Sequence, residues 1–373
     1  MTAAPLRVFV STGEASGELL ATDLIGAMRA TGAVIDADGI GGERLEAAGV
    51  RLTQRNAGWA SMGPLDAIGK IPKLLTVALR TAVTLRSHPR DLIVLVDFGA
   101  FNLRLARMIR SLGSSTPILY YFPPGAWLDD PHRARAIAEL SDPLTAFVHQ
   151  RDFYQSLGLP ISYAGHPLVS TIAPRPPRSR APSDGGVVAL LPGSRSGEIA
   201  RHTPRLLNAL ALVRERRPDV RAVMAAIDAS AYAAFEEMLR LRSPLPITLV
   251  RSAREALAVA DAAAVASGTA VLEAALLEVP TVALYVLSEA TAKVARRVYQ
   301  RRFITLPNLV LDEPVVPELL QEAATPRALA DALEAALTDS DEQLAGFRRL
   351  RGALGTPDSL ERCARFALRL AGR

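Results

Sequence analysis

The sequence has little of what disulfides, metal sites and membrane spans require. Cys363 is the only cysteine among 373 residues, so no disulfide forms within the chain. The five histidines are scattered, without the spacing of a zinc site, which predicts no metal site and no metal cofactor. No uninterrupted apolar run reaches about 18 residues, the length that crosses a bilayer.

What is present is the composition of an ordinary globular protein. Hydrophobic residues make up 49% and charged residues 22% of the chain, which excludes disorder over most of its length. The net charge of +5 favours anionic partners. Because no nucleic-acid signature or aromatic stacking platform occurs, we expect no nucleic-acid partner. The single cysteine and the absence of a signal-peptide pattern predict a cytoplasmic protein.

Short apolar runs alternate with segments of helical spacing along the chain. The runs are apolar on both faces, as central parallel strands are, and they cover residues 7–10, 92–96, 117–121, 187–191, 221–224, 262–265 and 281–285. This alternation predicts an α/β protein made of two Rossmann-like, doubly wound parallel-sheet domains that face a cleft.

A stiff segment rich in proline and arginine divides the chain near its middle. It predicts an N-terminal domain over 1–172, a linker over 173–186, and a C-terminal domain over 187–341. A helical tail is expected over 342–373.

Candidate site residues follow the strands, because ligands bind beyond the carboxyl ends of strands in open parallel sheets. After the first strand, Gly13 and Gly17 permit a tight turn and Ser16 is placed to cap a helix. The spacing is not G-x-G-x-x-G, which disfavours a nicotinamide enzyme. After the strand at 92–96, Asp97 is a candidate general base, because we expect desolvation at the end of the strand to raise its pKa. The alternatives are a purely structural turn and a helix-capping Asp97.

Two loops in the second half have the composition of phosphate sites. Glycine and serine bring backbone N–H groups to a helix N-terminus, an arginine adds a forked cation, and a glutamate lies one turn into the second helix, within reach of a ribose. The residues are Gly193, Ser194 and Arg195 in the first loop, and Ser267, Gly268, Thr269 and Glu273 in the second. Together they predict a diphosphate site; the alternatives are plain loops and a solvated or salt-bridged glutamate.

Two segments are amphipathic and basic. Residues 64–86 have the pattern of an interfacial helix, and residues 292–302 form a second cationic stripe. The alternatives are a surface helix that faces the core and a solvated face.

The loops, taken in order, resemble the lipid-A-disaccharide synthases, which are glycosyltransferases of the GT-B fold. The matching stretches cover nearly the whole chain and are residues 13–17, 39–45, 61–63, 96–97, 101–102, 165–168, 191–195, 266–270, 272–276, 306–309 and 316–321. Each stretch alone is weakly specific, whereas the ordered set is highly specific.

The resemblance implies an inverting transfer of 2,3-diacylglucosamine from UDP-2,3-diacylglucosamine to the 6-hydroxyl of 2,3-diacylglucosamine 1-phosphate. The products are the β-1,6 disaccharide 1-phosphate and UDP, and no cofactor is implied. The family's catalytic carboxylate maps to Asp97. Its Pro-Gly-Ser-Arg arginine maps to Arg195, which is both the second catalytic candidate and a donor-binding candidate, and its donor-side asparagine maps to Asn308. The resemblance also implies that the domain over 1–172 binds the acceptor and that the domain over 187–341 binds the UDP-sugar. The implied acceptor-side residues are Gly13, Glu14, Ser16, Gly17, Asn102 and Trp127. Peripheral association with the anionic inner-membrane surface and homodimer formation are also implied.

This sequence departs from the family pattern on the acceptor side. Ala100 stands where the family usually has a second aspartate, and residues 122–130 keep one tryptophan and carry two acids where the family tends to be basic. Alternatives therefore stay open. They are another UDP-sugar GT-B enzyme with a different acceptor, a UDP-N-acetylglucosamine 2-epimerase, and a non-catalytic, membrane-associated UDP-sugar-binding protein.

Overall fold

The chain forms two compact units in a computed structural model that describes residues 4–59, 64–125, 127–175, 185–226, 232, 235–237, 247–299 and 301–373. The first unit comprises Met1–Thr171 together with Leu354–Arg373, and the second comprises Ile172–Ala353.

The first unit is built on a seven-stranded parallel sheet with the order β3-β2-β1-β4-β5-β6-β7. Its strands are β1 (Leu6–Ser11), β2 (Ile35–Gly41), β3 (Arg51–Arg55), β4 (Leu92–Val96), β5 (Ile118–Tyr121), β6 (Asp142–Thr145) and β7 (Ser162–Tyr163). Every residue of β4 is buried, because helices cover both faces of the sheet. These helices are α1 (Ala15–Ala30), α2 (Glu43–Ala47), α3 (Pro64–Ser87), α4 (Gly99–Ser111), α5 (Pro131–Leu140), α6 (Val148–Ser156) and α7 (Leu168–Thr171).

The second unit is built on a six-stranded sheet with the order β10-β9-β8-β11-β12-β13. Its strands are β8 (Val187–Leu191), β9 (Arg221–Ala225), β10 (Ile247–Val250), β11 (Ala262–Ala266), β12 (Thr281–Tyr285) and β13 (Glu318–Leu320). The helices from this point are α8 (Ser196–Arg216), α9 (Ala253–Val259), α10 (Thr269–Leu276), α11 (Glu289–Val298), α12 (Leu306–Leu311), a short 3-10 helix (Gln321–Ala323), α13 (Pro326–Thr338), α14 (Asp341–Leu354) and α15 (Ser359–Leu370).

The predicted doubly wound fold is confirmed in both units, and every predicted strand coincides with an observed one. The tail expected over 342–373 divides between the units. Helix α15 joins the first unit because its buried face, which includes Cys363, Ala364 and Ala367, packs into the core cluster that also holds Leu24 of α1. Of the predicted linker, residues 176–184 lie outside the described residues.

The strand order places the candidate loops. In each sheet the order reverses between the first and fourth strands of the unit, that is, between β1 and β4 and between β8 and β11. Such switch points open a crevice at the carboxyl ends of the strands, where ligands bind. None of the helices in the described ranges is long and apolar enough to cross a membrane.

Candidate active site

Asp97 lies at the switch point of the first sheet, directly after β4. Asp97 and Phe98 have φ values of 42° and 45°, so two consecutive non-glycine residues are left-handed. Such backbone is costly and persists only where its surroundings hold it. The turn leaves Asp97 exposed, so the expected desolvation of its carboxylate is not seen in this structure. The N-cap residue of α4 is Phe98, not Asp97.

Asn102 holds this turn from beneath. Its Nδ2 donates to the backbone oxygens of Val96 and Asp97, each at 3.0 Å, and its Oδ1 accepts from Ser11 Oγ at 2.7 Å. The hydroxyl of Tyr120 donates to the Asp97 oxygen at 3.2 Å, and burial raises the pKa of Tyr120 well above its usual value, so the donor stays protonated. Asn102 is fully buried, and its amide supports the Asp97 turn.

The turn after β1 packs against the same element. An ideal Cβ on Gly13 would lie 2.1 Å from Cγ of Phe98, so only glycine fits beneath that ring. The N-cap residue of α1 is the half-buried Glu14, and Ser16 lies inside the first turn, so the predicted Ser16 cap is wrong. Gly17 is buried in that turn, where the chain passes close to β4.

The two acids of the 122–130 stretch have defined partners. The Oδ1 atom of Asp129 lies 2.8 Å from Nε2 of His149, and the His149 ring stacks on Trp127 with centroids 5.1 Å apart. Asp130 caps α5 by accepting from two backbone N–H groups of its first turn. Sequence reasoning missed His149, because nothing in the spacing of the chain connects it with Asp129.

The loop after β8 is shaped around a buried glutamate. The Glu198 carboxylate accepts from the backbone N–H of Ser194 at 3.3 Å and pairs with Nη1 of Arg195 at 2.9 Å. Gly193 has φ 111°, and an ideal Cβ there would lie 2.5 Å from Glu198 Oε2. Glu198 thus orients the half-buried guanidinium of Arg195. Sequence reasoning gave Glu198 no role, although its position three residues after the arginine was a usable signal.

The loop after β11 presents an open helix N-terminus. Gly268 is exposed and is the N-cap residue of α10, flanked by the half-buried Ser267 and Thr269. An ideal Cβ on Gly268 would meet no atom within 4 Å. Because β8 and β11 are neighbours, this N-terminus and the 193–195 loop lie at the same edge of the sheet. Backbone N–H groups at such an end favour anions.

Glu273 has a salt-bridge partner, which is one of the two alternatives to ribose binding that the sequence left open. Its Oε2 accepts from Nε of Arg254, on α9, at 2.9 Å, and its side chain is only 10% exposed. Sequence reasoning missed Arg254, which lies 19 residues earlier and is brought close by the fold.

Asn308 is buried within the second unit. Its Nδ2 donates to the Val316 oxygen at 2.8 Å and to Glu318 Oε1 at 2.9 Å, while its Oδ1 accepts from the Val316 N–H at 2.7 Å. Its amide therefore ties the start of α12 to β13. Within the described residues, no group of three or more histidine, cysteine or acidic side chains is arranged to hold a metal ion.

Comparison with known proteins identifies the family. The sequence model of lipid-A-disaccharide synthetase matches residues 8–351. A lipid-A-disaccharide synthase from Pseudomonas aeruginosa (strain UCBPP-PA14) is 36% identical over 99% of this chain and 99% of its own length. The chain belongs to the lipid-A-disaccharide synthase family. Another lipid-A-disaccharide synthase, from Myxococcus xanthus (strain DK1622), is 34% identical over 98% of both chains.

A solved structure shares the fold at low identity. The Methanocaldococcus jannaschii UDP-GlcNAc 2-epimerase in complex with UDP-GlcNAc and UDP superposes with a TM-score of 0.60 at 13% identity, over 98% of this chain and 100% of that one. Together with the two doubly wound sheets, this likeness confirms the predicted GT-B fold class.

Proposed function

We propose that this chain, a glycosyltransferase of the lipid-A-disaccharide synthase family, moves 2,3-diacylglucosamine from UDP to the 6-hydroxyl of 2,3-diacylglucosamine 1-phosphate. The observation that carries this proposal is the position of two anion-suited loops at the switch point of the second sheet. An exposed carboxylate occupies the corresponding position in the first sheet. The names of the curated relatives support the substrate class.

The donor's diphosphate binds at the 193–195 and 267–269 loops in this proposal. Arg195 neutralises the charge that develops on the β-phosphate as UDP leaves, and Glu198 keeps the guanidinium in place. Backbone N–H groups at the start of α10 supply further donors. One oxygen of Glu273 is held by Arg254, and the carboxylate orients the ribose.

Asp97 acts as the general base. It takes the proton of the acceptor's 6-hydroxyl as that oxygen bonds to the anomeric carbon of the donor. The bond between the anomeric carbon and the phosphate oxygen breaks, and its electron pair leaves with UDP. This single displacement inverts the configuration at the anomeric carbon. Its exposure in the structure leaves the carboxylate accessible to a bulky sugar. General-base assistance of this kind contributes roughly 10²–10⁴-fold. Gly13, Glu14 and Asn102 act by shaping or holding the neighbouring turns.

Membrane association is carried by α3 in this proposal. Leu75, Leu79 and Val83 are 37%, 52% and 47% exposed and follow each other at four-residue spacing on one helix face. The adjoining face of the helix contributes Ala78, Ala82 and Leu85 to the core. Exposed Lys73, Arg80 and Arg86 flank the apolar stripe, as expected for contact with anionic lipid. Residues 61–63, which belong to the family resemblance, and the side chains of residues 64–68 and 70, which belong to the predicted interfacial helix, lie outside the described residues.

The cationic stripe at 292–302 is partly engaged within the unit. Arg296 pairs with Glu322 at 3.1 Å, and Arg302 lies over the ring of Phe303. Its contact with phosphate or lipid stays a prediction. Homodimer formation also stays a prediction, which light scattering of the purified protein tests.

A product assay tests the proposed function. Purified protein is incubated with radiolabelled UDP-2,3-diacylglucosamine, with and without 2,3-diacylglucosamine 1-phosphate. Acceptor-dependent formation of the disaccharide 1-phosphate and UDP is the expected result. An epimerised sugar nucleotide formed from UDP-N-acetylglucosamine without any acceptor identifies an epimerase instead. UDP binding without turnover of either substrate identifies a non-catalytic binding protein.

A further inference from the structure

His202 is a completely buried histidine on α8, seven residues beyond Arg195. Its Nδ1 lies 2.8 Å from the carbonyl oxygen of Pro192, and its Nε2 lies 3.0 Å from the backbone nitrogen of Val286. A carbonyl only accepts and a backbone N–H only donates, so both bonds require one state of the ring. That state is the neutral imidazole with its proton on Nδ1.

The two bonds join loops that are not neighbours in the sheet. Pro192 follows β8 and Val286 follows β12, and β11 lies between these strands. Arg201, the residue before His202, donates from Nε to the Val286 oxygen at 2.9 Å. Helix α8 therefore holds both main-chain polar groups of Val286, and the ring of His202 extends the connection to Pro192, directly before Gly193.

The surroundings keep the ring neutral. Burial lowers the pKa of His202, and the cations of Arg201 and Arg205 act in the same direction. The Pro192 carbonyl and the Glu198 carboxylate oppose them without reversing the shift. Protonation would place a hydrogen on Nε2 and remove the acceptor for the Val286 N–H.

We propose that His202 is a positioning residue for the donor diphosphate, because its ring fixes the loops on both sides of the β11 loop. This inference rests on the proposed binding of the diphosphate at residues 193–195. Donors that are already in place need no rearrangement when charge develops on the leaving phosphate, and the Pro192 bond sets the start of the loop that presents them. The chemical class recognised through this arrangement is a nucleoside diphosphate.

Three substitutions separate the two bonds. His202→Asn keeps a donor near the Nδ1 position for Pro192, His202→Gln keeps an acceptor near the Nε2 position for Val286, and His202→Leu keeps neither. Each variant is measured for UDP affinity by calorimetry, for kcat and for the KM of donor and acceptor. We expect His202→Leu to weaken UDP binding by about tenfold and to raise the donor KM, with the acceptor KM unchanged. We expect the UDP affinity and the donor KM of His202→Asn to lie closer to the wild-type values than those of His202→Gln.

His166 provides the matched control, since it is a buried histidine of the first unit whose Nδ1 accepts from the Leu168 N–H at 3.2 Å. His166→Asn lowers the melting temperature and leaves UDP affinity unchanged. The inference is overturned if the His202 variants also have a lower melting temperature but an unchanged UDP affinity. If His202→Leu does not fold, the Asn and Gln variants decide. Unchanged UDP affinity in Arg195→Ala refutes the proposed donor site itself, whereas loss in Arg195→Ala without loss in the His202 variants refutes only the role of His202.

Discussion

The ring of Phe98 occupies the space that a side chain at residue 13 would need, since an ideal Cβ on Gly13 would lie 2.1 Å from the ring carbon Cγ. Phe98 also packs against Trp59 and Phe101, so the ring has little freedom to move aside. The turn after β1 therefore fixes the residue that follows Asp97, and the two switch-point loops of the first unit depend on each other.

Gly13→Ala is expected to displace Phe98 and distort the left-handed turn at residues 97–98. We predict a fall in kcat of at least tenfold, the order of effect of misplacing a catalytic group, together with a lower melting temperature. Steady-state assays and thermal unfolding measure the two effects. Gly26→Ala on the exposed side of α1 is the control, because a Cβ there meets no atom within 4 Å. It should raise the free energy of unfolding by about 0.5–1 kcal/mol without changing kcat.

Asp97→Asn is expected to abolish turnover while UDP affinity stays at the wild-type value. Asparagine tolerates left-handed backbone, so the turn is retained, but its amide cannot take a proton from the acceptor. The loss in kcat should be at least about 10²-fold. Calorimetry with UDP and the radiolabel assay measure the two properties on the same preparation. Activity within a few-fold of the wild type would show that another group is the base.

Gly268→Ala tests the donor site without disturbing the fold. The new methyl group projects into open space, so the melting temperature should fall only slightly, because alanine is a poorer N-cap residue than glycine. It would stand at the N-terminus of α10, where the diphosphate approaches, and we expect UDP affinity to fall about tenfold, which corresponds to about 1.4 kcal/mol. Wild-type affinity for UDP in this variant would place the nucleotide elsewhere.

Acid should destabilise the protein through its two buried neutral histidines. Burial lowers the pKa of His166 from 6.5 to about 3 and also lowers the pKa of His202. The unfolded chain then binds more protons than the folded one below about pH 6.5, so the free energy of unfolding falls as the pH falls through this range. Each histidine contributes a slope of up to about 1.4 kcal/mol per pH unit.

Urea unfolding between pH 7.5 and pH 5 measures this dependence. His166→Asn should show a flatter profile than the wild type, because one of the two histidines no longer titrates on unfolding. An identical slope in the variant would mean that His166 contributes nothing to the acid sensitivity.

Replacing Leu79 and Val83 of α3 by serine should weaken binding to vesicles that contain anionic phospholipid. Both side chains are largely exposed, so the melting temperature should stay the same. Co-sedimentation with vesicles measures the effect. Val34→Ser is the control, because Val34 is 56% exposed but lies outside α3. Equal binding of all three proteins would remove α3 from the membrane contact.

The sequence was informative wherever burial is uniform along an element. The apolar runs at 92–96 and 262–265 predict central strands, and both are buried throughout. Strand β2 was missed because its residues Ile35–Gly41 include two aspartates and two glycines. Strand β3 was missed because it lies at the edge of the sheet and alternates between exposed and half-buried residues.

The loops of the candidate site could be predicted from the sequence, whereas the long-range hydrogen bonds that hold those loops could not. Glycine-rich turns after strands are visible in sequence, and so were Asp97, Arg195 and Gly268. The bond between Asn102 and Ser11 joins residues 91 positions apart, and the bond between His202 and Val286 joins residues 84 apart. No local pattern reports contacts of that range, because the chain topology alone creates them.

The placement of α15 affects how the first unit folds during translation. This helix comes after the whole second unit in the chain, yet its apolar face completes the core of the first unit beside α1. During synthesis on the ribosome, the apolar surface that α15 covers stays exposed on the first unit until the entire second unit has been synthesised. A nascent chain stopped before residue 359 would thus expose this hydrophobic surface to chaperones. A short carboxyl-terminal deletion would destabilise the unit that is translated first.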